Sequence, residues 1–249
     1  MVKNYTSKGY RVLVNAYGNK DDLVFINLIV IADTLRPEAK PSLDLIKNAG
    51  IKVIMITGDA KETAVSIGKE LGLYNEKSVA LTHNELSVLT DEQIINLYPN
   101  LCIVARALPQ DKSRLVSVLQ SYKQVVGMTG DGVNDALALK KSDVGFALGS
   151  GSEVAKDASD IVILDDNISS ICKAILYGRT IFKSIRKFII YQLTVNICAL
   201  ILSIVGVLVG ISTPITIIQM LWLNMIMDTF AGLAFSYEPP TQGIFEWKT

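Results

Sequence analysis

The chain has 249 residues, enough for one medium domain and further elements, and 24 Lys and Arg balance 24 Asp and Glu to a net charge of zero. That neutrality argues against a nucleic-acid partner gripped by bulk charge. Its 3 cysteines, Cys102, Cys172 and Cys198, are odd in number and widely spaced. They fit neither a disulfide framework nor a zinc pattern, and suit a reducing cytosol.

The first ten residues are polar and carry no signal peptide. Residues 23–33, LVFINLIVIAD, predict a buried strand. Residues 36–48 have helical spacing and stop short of Gly50, a good residue for the end of a helix. Residues 51–56 (IKVIMI) predict a strand and 60–71 a helix ending at Gly72. Residues 75–99, with the lone His83, read as a solvated helical insertion without visible chemistry. A strand at 101–105, a helix at 110–122, a strand at 124–128 and a short helix at 134–141 follow, and VGFAL and DIVIL close the series. This βαβ rhythm predicts an α/β fold, a mostly parallel sheet with helices on both faces.

Two apolar runs end the sequence. Residues 188–211 contain no charge, and residues 215–237 contain only Asp228. Roughly 20 such residues cross the hydrocarbon core of a bilayer, so both predict membrane spans. The Ser212-Thr213-Pro214 connector is short enough to make them a helical hairpin. Arg179, Lys183, Arg186 and Lys187 precede the first span and the connector has no Lys or Arg, so both chain ends are expected in the cytosol.

Ligands of open parallel sheets sit beyond the carboxyl ends of the strands. There the sequence places Thr57-Gly58-Asp59 and Thr129-Gly130-Asp131-Gly132-Val133-Asn134-Asp135, with Lys112 near the start of a helix. Thr57 can donate to a phosphoryl oxygen and Lys112 supplies positive charge. Asp131 and Asp135 offer the hard oxygens that magnesium takes alongside phosphate and water. One site could thus serve phosphoryl transfer. Taken alone, TGD is an ordinary turn and Lys112 a solvated helix charge; TGDGVND has two carboxylates and an Asn that a plain turn does not need. Within the spans, Asp228 is a functional candidate because a buried charge there is costly. Asn224 lies one helical turn before it on the same face. Asn196 sits near the middle of the other span. Each Asn also suits a simple interhelical hydrogen bond.

TGDGVNDA followed by LALKKSDVGFALGSGSEVAKDASDIVILDDN resembles the hinge and metal segment of P-type ATPases, in the haloacid-dehalogenase-like superfamily. MITGD, VARALPQDK and ADTLRPEA resemble the family's neighbouring motifs. The resemblance covers residues 10–240. It implies a Rossmannoid haloacid-dehalogenase-like domain at 23–176, preceded by the end of a nucleotide-binding domain at 1–22. A stalk at 177–187, spans at 188–211 and 215–237 and a cytosolic tail at 238–249 complete the expected organisation. It implies that Thr57 and Lys112 act on the phosphoryl group, and that Asp131 binds magnesium with Asn134 and Asp135 in support. Asp33, Arg36, Thr57, Gly58, Asp59 and Arg106 would border ATP.

QMLWLNMIMDT resembles the sixth membrane helix of calcium pumps, and QLTVN the fifth helix of the plasma-membrane type. Ala199 and Met227 stand where sarcoplasmic-type pumps carry a glutamate and a threonine, which implies a single-ion site for transported Ca2+ on Asn196, Asn224 and Asp228. A further glutamate ligand is expected from a helix outside this sequence. Ala60 and Leu137 also depart from the family pattern, away from the proposed phosphate and metal groups. The family's DKTGT nucleophile motif is absent from the sequence. The expectation is therefore a fragment of a plasma-membrane calcium pump, inactive alone, whose partners are the bilayer, ATP, Ca2+ and the remaining pump segments. Two alternatives stand: a membrane-anchored phosphohydrolase using Asp33, or a non-catalytic nucleotide-binding partner of full-length pumps.

Overall fold

Arg11–Asn19 (β1) and Asp22–Ile31 (β2) pair antiparallel, with a register shift between Asn15 and Ala16. This is a computed structural model, and it describes residues 5, 10–19, 22–31, 35–240 and 243. The expected buried strand at 23–33 is corrected here. Within the described residues β2 pairs with β1 alone, and Leu23, Val24, Phe25 and Ile26 are exposed. A continuous apolar run reads as a strand covered on both faces. A two-stranded ribbon supplies no such cover. Residues 32–34 lie outside the described residues.

The chain divides into two compact units, Met1–Ile171 and Cys172–Thr249. In the first unit the expected single sheet appears as two parallel three-stranded sheets. One takes Met55–Ile56 (β3), Leu101–Ala105 (β5) and Val79–Thr82 (β4), in the order β3-β5-β4. The other takes Gly127–Gly130 (β6), Val144–Leu148 (β7) and Ile161–Ile163 (β8), in chain order. Of the predicted IKVIMI strand only Met55 and Ile56 enter the ladder, opposite Ile103 and Val104. The β6 strand begins later than predicted, because Val126 is diverted to the Asp143 side chain, which accepts from its N–H at 2.8 Å.

Helices Ala39–Asn48 (α1), Lys61–Glu70 (α2), His83–Ser87 (α3), Asp91–Leu97 (α4) and Pro109–Ser121 (α5) surround the first sheet. The 75–99 stretch is therefore not a solvated insertion. It supplies edge strand β4 and two capped helices, and its Leu86 and Ile94 are fully buried against Leu101, Val104, Leu115 and Val118. The sequence signal was there: Thr82 and Glu85, and Thr90 and Gln93, form reciprocal capping boxes that start α3 and α4. Beside the second sheet, a 3-10 turn at Val133–Asp135 leads into Ala136–Lys141 (α6), and Glu153–Asp157 (α7) follows β7. Met128, Ala138, Leu139 and Ala155 form its small core.

Ile168–Leu208 (α8) is one continuous helix of 41 residues, so the predicted stalk and first span form a single rod of about 60 Å. Ile217–Ser236 (α9) follows. Both are long and apolar enough to cross a membrane. They run antiparallel. At the connector, Gly210 adopts φ +93° and ends the helical turn. Gly206 lies against Pro214, whose Cγ would be 2.2 Å from any Cβ placed there. Thr216 and Gln219 then cap α9 reciprocally. At the other end the Lys187 ammonium pairs with the Glu238 carboxylate, and Phe235 meets the edges of Phe188 and Tyr191.

Candidate functional site

In the first sheet, the ends of β3 and β5 are stitched together by main-chain bonds. Thr57 N donates to Val104 O, Arg106 N to Asp59 O and Ala107 N to Thr57 O, each at 2.9 Å. Arg106 takes φ +49°, a left-handed conformation that is uncommon for a residue with a side chain. The Thr57 hydroxyl lies 3.2 Å from Asp59 Oδ2 and accepts from Asp59 N at 3.1 Å. Thr57, Gly58, Asp59 and Arg106 thus form one cluster on one strand edge, with Gly58 and Arg106 exposed.

The sequence then turns into α5, which carries Lys112. Pro109 opens the helix, and Asp111 accepts from Leu108 N at 2.8 Å, satisfying the free donor end. His83 Nδ1 also lies 2.8 Å from the buried Asp111 carboxylate. Asp111 was not singled out from sequence, and His83 was read as part of a solvated insertion without visible chemistry. Proline followed by an acidic residue in a first turn is the signal that marks Asp111; nothing in the sequence links it to His83.

Lys112 reaches across to the second sheet. Its Nζ donates to Asp135 Oδ1 at 2.5 Å, with side chains 20% and 7% exposed. Asp135 Oδ2 accepts from Asp131 N at 3.4 Å. Gly130 makes this fold possible, because a Cβ there would stand 2.4 Å from Asp135 Cβ. Asp131 O accepts from Ser152 N at 2.8 Å, which fixes the turn from the other side. With Asp135 engaged by Lys112, Asp131 and Asn134 are exposed carboxylate and amide side chains of the turn. The structure therefore gathers Lys112, Asp131 and Asp135 as one cluster, and Thr57, Gly58, Asp59 and Arg106 as another, joined by the Ala107–Leu108 link. Arg36 instead donates to Asp166 O at 2.7 Å. Asp33 lies outside the described residues.

In the apolar hairpin, Gln192 Nε2 donates to Asp228 Oδ2 at 2.9 Å, linking α8 to α9. Asn196 and Asn224 lie one helical turn from these two residues, and both are half-buried. Gln192 was missed in the sequence, although an amide one turn before Asn196 in an apolar run is a readable signal.

A family model described as haloacid dehalogenase-like hydrolase matches residues 5–143, and a second of the same description matches 113–175. A model described as the C-terminus of cation transporting ATPases matches residues 212–248. The chain belongs to the haloacid dehalogenase-like hydrolase family. Within it, the chain resembles P-type cation-transporting ATPases. It is 43% identical over 230 residues to calcium-transporting ATPase 2 of Schizosaccharomyces pombe, covering 91% of this chain and 18% of that protein. It is 40% identical over 268 residues to human plasma membrane calcium-transporting ATPase 4, covering 96% and 22%. The chain thus spans about a fifth of the length of these relatives. Among solved structures, a zinc-transporting PIB-type ATPase in its E2.Pi state matches with TM-score 0.65 and 26% identity, over 94% of this chain and 32% of that one. The chain is an integral membrane protein whose two long apolar helices follow the α/β domain in sequence.

Proposed function

We propose that the chain forms part of an ATP-driven calcium pump of the plasma membrane, with its α/β unit and both termini cytosolic. The observation that carries this reading is the Lys112–Asp135 contact at 2.5 Å beside Asp131, in a chain that also holds Asp228 between two apolar helices. Lys112 and Thr57 neutralise and orient a phosphoryl group. Mg2+ would be held by the Asp131 carboxylate, with Asn134 and Asp135 in support; this is the sparse oxygen set that magnesium accepts when phosphate and water complete its shell. Bound there, it would lower the negative charge that a phosphoryl oxygen presents. Gly58, Asp59 and Arg106 border the nucleotide, together with Arg36 and Asp33. Asn196, Asn224 and Asp228 offer Ca2+ two amide oxygens and a carboxylate, matching its preference for hard oxygens.

The sequence has no DKTGT string, so the chain alone forms no acyl phosphate and depends on further pump segments. A chimaera tests the reading: this chain replaces the matching 230 residues of the S. pombe pump. Labelled ATP is added with Mg2+, and the products are quenched in acid. Calcium-dependent phosphorylation is expected of the chimaera and is expected to vanish with Asp228→Asn. Phosphorylation that ignores Asp228→Asn contradicts the ion site. Phosphorylation of the isolated chain contradicts its dependence on other segments.

A further inference from the structure

We infer that Gln192 is an additional oxygen ligand of the transported cation, its amide switching between Asp228 and the ion; this rests on the ion-site reading above. The geometry sets the amide's direction. The Gln192 NH2 group faces Asp228, its Nε2 donating to Oδ2 at 2.9 Å. Its Oε1 then points away from Asp228. That oxygen is buried, and among the described residues it has no hydrogen-bond donor.

A buried carbonyl oxygen without a donor is unfavourable, and such an atom in a native structure calls for a reason. Here the surroundings supply one. Asn196 lies one turn further along α8, and Asn224 one turn before Asp228 on α9. These amides and the carboxylate lie in a largely apolar stretch, where the Thr194 and Thr229 hydroxyls are taken up by carbonyls of their own helices. The missing partner of Oε1 must be electropositive, and the neighbouring carboxylate favours a cation over a neutral donor. Gln and Asn carbonyls are ordinary calcium ligands. In the ion-free form the NH2 group holds Asp228 toward α8. When the cation arrives, Asp228 turns to it and Oε1 joins the shell.

The roles of ligand and plain hydrogen-bond donor separate under substitution. The full chain, carried in the chimaeric pump that supplies the remaining ligand, is placed in lipid nanodiscs and titrated with labelled Ca2+, alongside Gln192→Leu, Gln192→Glu and Asp228→Asn. Gln192→Leu is expected to weaken binding about tenfold or more. Gln192→Glu keeps an oxygen at the site and adds charge, so it is expected to bind Ca2+ at least as tightly as the unmodified chain. If Gln192 only donates to Asp228, Gln192→Glu must weaken binding as much as Gln192→Leu, which overturns the inference. Loss of binding in Asp228→Asn with none in Gln192→Leu also overturns it while leaving the ion site intact. Unchanged binding in Asp228→Asn, or none by the unmodified chain, overturns the ion site and the inference together.

Discussion

Replacing Lys112 with Met isolates the electrostatic core of the proposed phosphate site. Asp135 is buried to 7% side-chain exposure, and one of its oxygens depends on the Lys112 ammonium at 2.5 Å. Its other oxygen accepts only a long 3.4 Å bond from Asp131 N. Lys112→Met therefore strands a buried charge. Removing one partner of a buried ion pair typically destabilises by about 3–5 kcal/mol. Lys112 is itself 20% exposed, which lets water reach the pair, so the lower end, about 3 kcal/mol, is expected. For a unit of this size that is a fall in Tm of about 6–12 °C. The assay is thermal unfolding of the whole chain in nanodiscs, followed by intrinsic fluorescence. Adding Asp135→Leu to Lys112→Met removes both charges and should restore most of the loss, because the penalty lies in the unpaired charge. A single variant within about 0.5 kcal/mol of the parent would refute the reasoning, since that is the range of an ordinary surface change.

Leu86→Ala tests the correction at 75–99: a fully buried leucine lost from a packed core is expected to cost about 2–5 kcal/mol by chemical denaturation, whereas a solvated insertion would show almost no change. Glu85 is held at about 2, chiefly by the Lys61 ammonium and then by the Thr82 N–H and hydroxyl, against an ordinary value of 4.5. Its contribution is thus fully present above pH 4.5 and fades as pH falls through about 2. A side-chain NMR titration should place its midpoint well below 4.5, and Lys61→Met should move it up; a midpoint at 4.5 in the parent chain contradicts the contact.

Much of this molecule was legible because its candidate site residues sit where local rules are strong. The glycine-rich turn after β6 is short and acidic and follows a strand, so Asp131, Asn134 and Asp135 stood out before any coordinates. The hairpin was equally plain, since charge vanishes from residues 188–237 except at Asp228. What escaped was mostly tertiary. The exposure of β2 depends on what covers a strand, and an apolar run cannot report its own neighbours. The 75–99 stretch carried two capping boxes, yet its polar surface masked Leu86 and Ile94, whose burial is fixed by β5 and α5. The partnership of Lys112 with Asp135 joins residues far apart in sequence and follows only from how two sheets share one connecting helix. Gln192 was overlooked for a different reason: its place one turn before Asn196 in an apolar run was readable, but its partner across the hairpin was not.

The central claim is that Asp131 is the metal-facing carboxylate of a phosphate site anchored by Lys112 and Asp135. Mn2+, a paramagnetic substitute for Mg2+, tests it most directly when added with inorganic phosphate to the isotope-labelled chain. The account predicts line broadening centred on the turn at residues 129–135 and reaching Lys112, abolished by Asp131→Ala. Broadening centred elsewhere, or unaffected by Asp131→Ala, would contradict it.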